Sequence, residues 1–240
     1  MVVGQGTEVR KHSKRFYLSL VVILIVGFTL FSIFVNMFSK TSKTVTIPIT
    51  FPIVTILIFY ETIIRDRGLD ALGLKKENFL RNIGIGVLTA FLGFYLIFLI
   101  IELTIPGVME EIKSRPETIS NFFMYSFSFP LNYILQTIYV FGMLSPAEEL
   151  LFRGFIQNKL QKIMSPHLAG IVQSTLFGLT HFIPAYASGW LLLHCLTYGL
   201  IGFIGGIILG AIFYKTDNNI VASWIAHAIA DSPLMLLLLI

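Results

Sequence analysis

Two adjacent glutamates and an arginine interrupt a chain that is otherwise strongly apolar. Glu148, Glu149 and Arg153 lie between the apolar runs 140–144 and 155–156. Ionisable groups at membrane depth carry a large desolvation cost, so they indicate a functional site. Glu149 and Arg153 are four residues apart and can pair on one face of a helix. Glu148 is rotated by about 100° from Glu149 and is free to point elsewhere.

Two histidines in later apolar segments can join these carboxylates. His181 follows Phe177 by four residues, and His227 precedes Asp231 by four, so each pair shares a helix face. A carboxylate held away from bulk water can act as a general base on a water molecule. A histidine that faces it can share that water or bind a metal jointly with it. A second histidine with a carboxylate can stabilise an oxyanion or complete a metal shell. Water attack on an amide requires this set of groups.

Structural roles explain part of the polar set. Glu149 and Arg153 are typical of a buried structural pair, because buried charges normally occur paired. Glycines that recur every four residues in one apolar run indicate close helix packing more than a ligand path, namely Gly202, Gly206 and Gly210. Glu148 has no local cation of its own, so a structural role explains it least.

The composition is that of an integral membrane protein. The chain has 240 residues, of which 55% are apolar and 12% are charged, and its mean hydropathy is +0.82. Soluble domains usually have about 25% charged residues. The net charge of +4 does not indicate a nucleic-acid partner, because the basic residues flank apolar runs and do not form a face. The single cysteine, Cys195, excludes an intrachain disulfide and a zinc-thiolate site.

Long apolar runs predict an all-α fold, a polytopic transmembrane helical bundle of about seven to eight membrane helices. Residues 1–15 are a basic tail, and residues 16–240 form a single transmembrane domain whose catalytic core is residues 121–232. The interval 65–81 combines basic residues with leucines, which predicts a helix lying in the membrane interface. The spans are expected at residues 16–38, 46–64, 82–104, 121–144, 167–184, 189–214 and 218–232.

Basic residues also predict the orientation. They fall mainly on the side of the tail, which places the N-terminus in the cytoplasm and Glu148 near the cytoplasmic end of its helix. Ser145-x-x-Glu148 with Pro146 is typical of a capping box with proline at the first helical position. The alternative is one long helix kinked at Pro146.

The three motifs, in this order in successive helices, resemble the signature of the type II CAAX prenyl protease family. This family is also known as the CPBP intramembrane metalloproteases or the abortive-infection family. The resemblance covers residues 144–232, and its motifs are Glu148-Glu149-x-x-x-Arg153, Phe177-x-x-x-His181 and His227-x-x-x-Asp231. It implies an all-helical membrane endopeptidase with a cavity open to the cytoplasm and the lipid. Eukaryotic members remove the last three residues of prenylated CAAX proteins.

The resemblance also implies roles for individual residues. Glu148 would activate the water with His181 as its partner, and His227 with Asp231 would stabilise the oxyanion, while Glu149 and Arg153 would hold the site together. Two mechanisms stay open at this point. One uses a divalent metal such as zinc, held by Glu148, His181, His227 and Asp231, and the other is a metal-free glutamate mechanism. Asparagine is common in the family where this chain has Asp231, and a carboxylate cannot donate a hydrogen bond unless protonated.

The function expected is therefore hydrolysis of peptide bonds near the C-terminus of prenylated or other membrane-tethered proteins, with the lipid bilayer as the second partner. No His-Glu-x-x-His zinc motif is present, which excludes the zincin type of intramembrane protease. Two alternatives come from other classes. One is a non-catalytic immunity or scaffold protein of the same fold, and the other is a divalent-cation transporter.

Overall fold

The described part of the chain is built from helices. A computed structural model describes residues 50–61, 65, 68–107, 127–187, 189–232 and 235, and no strand occurs among them. The predicted all-α class is confirmed. The basic tail 1–15 and the expected span 16–38 lie outside the described residues, so the count of seven to eight membrane helices and the domain boundaries stay predictions.

Six helices follow one another in these ranges. Three of them, Phe79–Thr104, Pro166–Ala187 and Leu192–Lys215, are long and apolar enough to cross a membrane, judged by length and composition within the described ranges. The shortest of the three has 22 residues, which at 1.5 Å per residue is about 33 Å and matches a hydrocarbon core of roughly 30 Å. The helices are α1 (Thr50–Phe59), α2 (Phe79–Thr104), α3 (131–160), α4 (Pro166–Ala187), α5 (Leu192–Lys215) and α6 (Ile220–Asp231).

Helix α3, which carries the glutamates, is continuous through Pro146. Leu144 and Ser145 both have α-helical backbone angles, and no side chain caps the segment Ser145–Glu149. The capping-box prediction is therefore wrong, and the alternative of one long helix is confirmed. Pro146 has no N–H to donate, which interrupts the regular ladder. The helix accommodates the interruption with wider π turns on either side, at Val140–Leu144 and Leu150–Gln157.

Residues 65–81 do not form the expected interfacial helix. The described residues of this interval form a single 3₁₀ turn, Leu69–Leu72, and α2 begins only at Phe79. The leucines serve packing instead, because Leu72 is fully buried. A Cβ on Gly154 of α3 would clash with the Leu72 carbonyl oxygen, so only glycine permits this contact. The interval is a strap across the end of α3.

The strap is also tied to the start of α6. The Ile220 amide donates to the Gly73 carbonyl at 2.9 Å. Asn219 caps α6 by accepting from the Val221 amide, while its own amide group donates to the Lys75 carbonyl. The strap thereby fixes the end of α3 and the beginning of α6 to the same backbone segment, and those two helices carry the carboxylates of interest.

Close packing of α4 on α5 depends on glycine, as predicted. A Cβ on Gly206 would lie 2.9 Å from the Ser174 Cα, and one on Gly178 would lie 2.8 Å from the Gly199 carbonyl oxygen. Without side chains at these positions the two backbones approach closely. On the other side of α5, Phe94, Leu209 and Ala226 lie in an apolar core shared with α2 and α6.

Candidate active site

Glu149 and Arg153 form a fully buried pair at the centre of the bundle. Arg153 Nη1 donates to Glu149 Oε1 at 2.8 Å, and both side chains are 0% exposed. The same guanidinium lies over the Phe177 ring of α4, 4.6 Å from its centroid, and its Nη2 reaches the Gly206 carbonyl of α5 at 3.5 Å. One buried charge pair thereby connects α3 with α4 and α5. The predicted i,i+4 pairing is present.

His227 of α6 lies among three carboxylates. Its Nδ1 is 2.9 Å from Glu149 Oε1, while its Nε2 is 3.6 Å from Glu148 Oε2 and 3.2 Å from Asp231 Oδ2. Glu149 is held as an acceptor by Arg153, so Nδ1 must carry the proton and donate to it. The Nδ1 hydrogen bond fixes the ring so that Nε2 points towards the other two carboxylates.

The two adjacent glutamates have different surroundings. Glu149 is completely enclosed, whereas the side chain of Glu148 is 17% exposed. The side chain of Asp231 is 38% exposed. The site therefore opens on the side of Glu148 and Asp231, and the pair of Glu149 with Arg153 closes it from behind. A water molecule or a substrate can reach Glu148 but not Glu149.

His181 is placed next to this group by a different set of contacts. Its Nδ1 is 2.8 Å from the Phe177 carbonyl oxygen, which only accepts, so Nδ1 carries the proton and Nε2 keeps its lone pair. Gly202 of α5 makes room for the ring, because a Cβ there would lie 2.9 Å from Nδ1. The Tyr198 ring packs edge-on against the imidazole at 4.9 Å. Among the described residues, no hydrogen bond joins His181 to Glu148.

Phe177 connects the two histidines, a role that the sequence motif does not reveal. Its ring is edge-on to His181 at 4.7 Å, to His227 at 5.6 Å and to Phe152 at 4.9 Å, and it also lies under Arg153. The spacing of four residues between Phe177 and His181 shows only that these two side chains share one face of α4. Only the tertiary structure shows that α3 and α6 pack against the same ring.

Tyr139 is a further residue that the sequence does not single out. It is 3% exposed, lies nine residues before Glu148 on α3, and packs in one cluster with Ala228 of α6, the residue after His227. A spacing of nine does not place two residues on one face of a regular α-helix. The π turn between them changes the register, and no pattern in the sequence indicates that turn.

A metal held by Glu148, His181, His227 and Asp231 is the other mechanism that the motifs predict. In the described ranges, no group of three or more His, Cys, Asp or Glu residues is arranged to hold a metal ion. Nδ1 of His227 is engaged by Glu149, its Nε2 faces two carboxylates at ion-pair distances, and His181 packs edge-on against Phe177. The divalent metal stays a prediction, and the mechanism proposed for this chain uses none.

The structure thus brings five of the six predicted residues into one connected group, namely Glu148, Glu149, Arg153, His227 and Asp231. The sixth, His181, borders the group through Phe177. The roles assigned to the individual residues stay predictions. The contact between Glu149 and His227 is absent from the sequence-based interpretation, which paired Glu149 with Arg153 alone.

A comparison with known families matches the part of the chain that builds this site. Residues 130–232 match the family described as Type II CAAX prenyl endopeptidase Rce1-like. This range begins directly before α3 and ends directly after α6. Neither the curated proteins nor the solved structures contain a significant match to the chain. The part of the chain that carries the site is therefore similar to the Rce1-like type II CAAX prenyl endopeptidases, and three of its described helices are long and apolar enough to cross a membrane.

Proposed function

We propose that this protein is an intramembrane endopeptidase that uses Glu148 to activate water. Its substrates are the C-terminal regions of prenylated CAAX-type or other membrane-tethered proteins. One observation supports this most directly. Of two adjacent glutamates, one is enclosed by Arg153 and His227 at 2.8 and 2.9 Å, and the other lies at the opening beside Nε2 of the same histidine.

The first chemical step is removal of a proton from water. Glu148 accepts this proton, and the oxygen of the water forms a bond to the carbonyl carbon of the scissile amide. His181 presents its Nε2 lone pair, because Nδ1–H is engaged by the Phe177 carbonyl. That lone pair can accept the second O–H of the same water and orient its oxygen. A water molecule in bulk solvent has no fixed orientation. Binding to these two side chains orients the water before the reaction and so removes part of the entropic cost of its attack.

The second step is stabilisation of the negative charge that develops on the carbonyl oxygen. His227 donates from Nδ1 to Glu149 and presents Nε2 at the opening. A proton on Nε2 can donate to the oxyanion, and the buried partner keeps the ring from turning. A protonated Asp231 can donate as well. When the intermediate collapses, the C–N bond breaks and Glu148 returns its proton to the leaving nitrogen.

Prenylated or otherwise membrane-tethered substrates suit the position of the site. The reacting groups lie on helices packed beside α4 and α5, both long and apolar enough to span a membrane. A peptide bond reaches that depth most readily when a lipid anchor holds the chain at the bilayer, because each buried methylene contributes about 0.8 kcal/mol to membrane binding.

Cleavage of a farnesylated CAAX peptide by the purified protein in detergent tests this proposal. Glu148→Gln keeps the size of the side chain but cannot take a proton, so the cleavage rate should fall by about 10²–10⁴-fold, the usual contribution of a general base. The same peptide without the lipid tests whether prenylation is required. Glu77→Gln is the matched control, because Glu77 is exposed and lies on the strap away from the site.

A Glu148→Gln variant that cleaves the peptide as fast as wild type would refute the role of Glu148. Cation flux through liposomes that needs Glu148, in a protein without peptidase activity, would favour the transporter alternative. Normal biological activity of Glu148→Gln and His181→Ala variants would favour the non-catalytic alternative.

A further inference from the structure

A row of aromatic rings leads to His181 along α4, α5 and the connection between them. The Tyr198 ring of α5 lies edge-on to the imidazole, with 4.9 Å between the ring centroids, and the Trp190 ring is stacked on Tyr198 at 5.5 Å. Phe177 contacts the imidazole from its own helix at 4.7 Å. His181, Trp190 and Tyr198 are each half-buried. The imidazole therefore packs against rings from two helices, and a further ring supports one of them.

The end of α4 determines where Trp190 lies. Gly189 has a φ of 76°, in the left-handed region. Its amide donates to the Tyr186 carbonyl at 3.0 Å, and the Trp190 amide donates to the Ala185 carbonyl at 3.2 Å. Two such hydrogen bonds around a left-handed glycine form a Schellman motif, a common end of an α-helix. This motif fixes Trp190 to the same helix that carries His181.

Helix α5 holds Trp190 from the other side. Cys195 Sγ lies 3.6 Å from the Trp190 carbonyl oxygen, and Tyr198 is one turn further along α5. Offset stacking and edge-on packing are the arrangements that aromatic rings prefer. Trp190 and Tyr198 together form an aromatic bracket, which connects the end of α4 through α5 back to His181.

The imidazole of His181 needs contacts to fix its plane. The χ2 torsion of histidine has broad preferences, so the side chain alone does not set the orientation of the ring. Pro184 lies inside α4 three residues after His181, and proline has no N–H to donate to the Thr180 carbonyl. Helix α4 thus lacks one of its regular hydrogen bonds beside His181. The hydrogen bond between Nδ1 and the Phe177 carbonyl fixes one edge of the ring, and the aromatic bracket supports its plane.

We propose that Trp190 and Tyr198 are positioning residues for His181. They hold the imidazole so that Nδ1–H stays on the Phe177 carbonyl and Nε2 keeps its lone pair. Tyr198 acts on the imidazole directly, and Trp190 acts through Tyr198. The consequence for catalysis rests on the function proposed above, in which that lone pair orients the attacking water.

Histidine side-chain NMR of the isotope-labelled, full-length protein in detergent tests the positioning without any need for catalysis. A His181→Gln sample identifies the signals of His181. In the wild type we expect a single tautomer with the proton on Nδ1, because the hydrogen bond selects it. Tyr198→Leu removes the ring and should give signals averaged between the two tautomers. Tyr198→Phe keeps the ring and should leave the signals unchanged.

Tyr214→Leu is the matched control for loss of a tyrosine from α5. Tyr214 lies near the other end of this helix and packs edge-on against His167 of α4, with 6.4 Å between the ring centroids. The substitution removes a contact of the same kind from the same pair of helices, so the His181 signals should not change. A change as large as that in Tyr198→Leu would show a general loosening of the two helices and would contradict the proposal.

Trp190→Ala tests the outer part of the bracket and decides the question if Tyr198→Leu does not fold. It should change the His181 signals in the same direction as Tyr198→Leu, to a smaller extent. His181 signals that stay at their wild-type positions in both variants would overturn the proposal. A change in Tyr198→Leu alone would remove Trp190 from it.

Gly189 allows the position of Trp190 to be changed through the backbone alone. A Cβ at Gly189 meets nothing within 4 Å, so only its left-handed φ opposes a side chain. Asparagine tolerates this region much better than alanine. Gly189→Ala should therefore change the His181 signals as Trp190→Ala does, whereas Gly189→Asn should not. Equal signals in these two variants would contradict the role of the Schellman motif.

Cleavage of the farnesylated peptide measures the consequence for the reaction. Tyr198→Leu should lower kcat about tenfold and leave KM within about twofold, because misplacement of a reacting group costs rate more than affinity. Tyr198→Phe should keep kcat near the wild-type value. A raised KM with normal kcat, or a lowered kcat with unchanged His181 signals, would show that Tyr198 acts on the substrate and not through His181. Changed signals with normal kcat would refute the role of His181 in orienting water. A wild-type protein that cleaves no peptide would refute the proposed function but not the NMR result.

Discussion

Replacement of Glu149 by glutamine tests whether Glu149 supports the site while Glu148 is the reacting group. Glu149 Oε1 accepts from Arg153 at 2.8 Å and from His227 at 2.9 Å, in a position without any exposure. Glutamine has nearly the same shape, so packing is preserved and only the charge is removed. The substitution leaves a guanidinium with no carboxylate in a fully buried place.

The expected cost follows from that burial. Loss of one partner from a buried ion pair costs about 3–5 kcal/mol, because the remaining charge has no compensation. The free energy of unfolding of a typical protein is about 5–15 kcal/mol, so the loss is a large fraction of the total stability. At about 2–4 °C per kcal/mol for a chain of this length, Tm should fall by roughly 6–20 °C. Glu148→Gln should cost far less, because the side chain is 17% exposed and its nearest cationic group, His227 Nε2, is 3.6 Å away.

Thermal unfolding in detergent, followed by tryptophan fluorescence, measures this difference. Trp224 of α6 donates to the Phe141 carbonyl of α3 at 2.9 Å, so its emission reports separation of the two helices that Glu149 connects. Glu77→Gln provides the reference for loss of an exposed carboxylate. We expect the order of Tm values to be wild type and Glu77→Gln first, Glu148→Gln slightly lower, and Glu149→Gln far below.

The reverse order would refute the division of roles. If Glu149→Gln unfolds at the wild-type temperature while Glu148→Gln is strongly destabilised, then Glu148 is the structural partner. Equal large losses in both variants would show that the glutamates act as one charge cluster, and the assignment of Glu148 as the reacting group would lose its structural basis.

Three more substitutions or treatments test other parts of the site. Asp231→Asn should keep the cleavage rate within about tenfold of wild type, because an amide can replace a protonated carboxyl as donor, while Asp231→Leu should lose roughly 10²–10³-fold; equal rates in the two variants would contradict this. Gly202→Ala should lower kcat about 10–100-fold, because its Cβ would lie 2.9 Å from His181 Nδ1 and small misplacements cost that much; Gly170→Ala is its control, and an unchanged kcat for Gly202→Ala would contradict it. Cleavage should survive treatment with a chelator, because the donor atoms around His227 face one another as ion pairs; activity lost on chelation and restored by zinc would show that the metal mechanism is correct.

Local pairs were predictable from the sequence because helix geometry alone determines them. Glu149 and Arg153 at a spacing of four pair as expected, and so do His227 and Asp231, whose nearest atoms are 3.2 Å apart. The repeated glycines of α5 correctly indicated close packing. These features depend on a single helix and on the small size of glycine, both of which can be read from residue types and spacing.

Contacts between helices could not be predicted from the sequence motifs. The approach of His227 to Glu149 joins residues 78 positions apart, and nothing in either motif indicates it. The interspersed leucines of 65–81 resemble those of an amphipathic interfacial helix, whereas in the structure Leu72 is buried against Gly154. Pro146 after a serine resembles a helix start, and only the π turn before it shows how a helix can continue through it.

The difference in burial between Glu148 and Glu149 follows from these contacts between helices. Adjacent residues on a helix point about 100° apart, so burial of one leaves its neighbour near the edge of the contact. Arg153 and His227 both bind Glu149, and together they fix which face of α3 turns inward. Once that face is fixed, Glu148 must lie at the border of α3 and α6, beside Nε2 of the same histidine. The enclosed pair therefore determines where the second carboxylate stands and which part of His227 it meets. A site of this kind needs both glutamates, since the first positions the groups with which the second reacts.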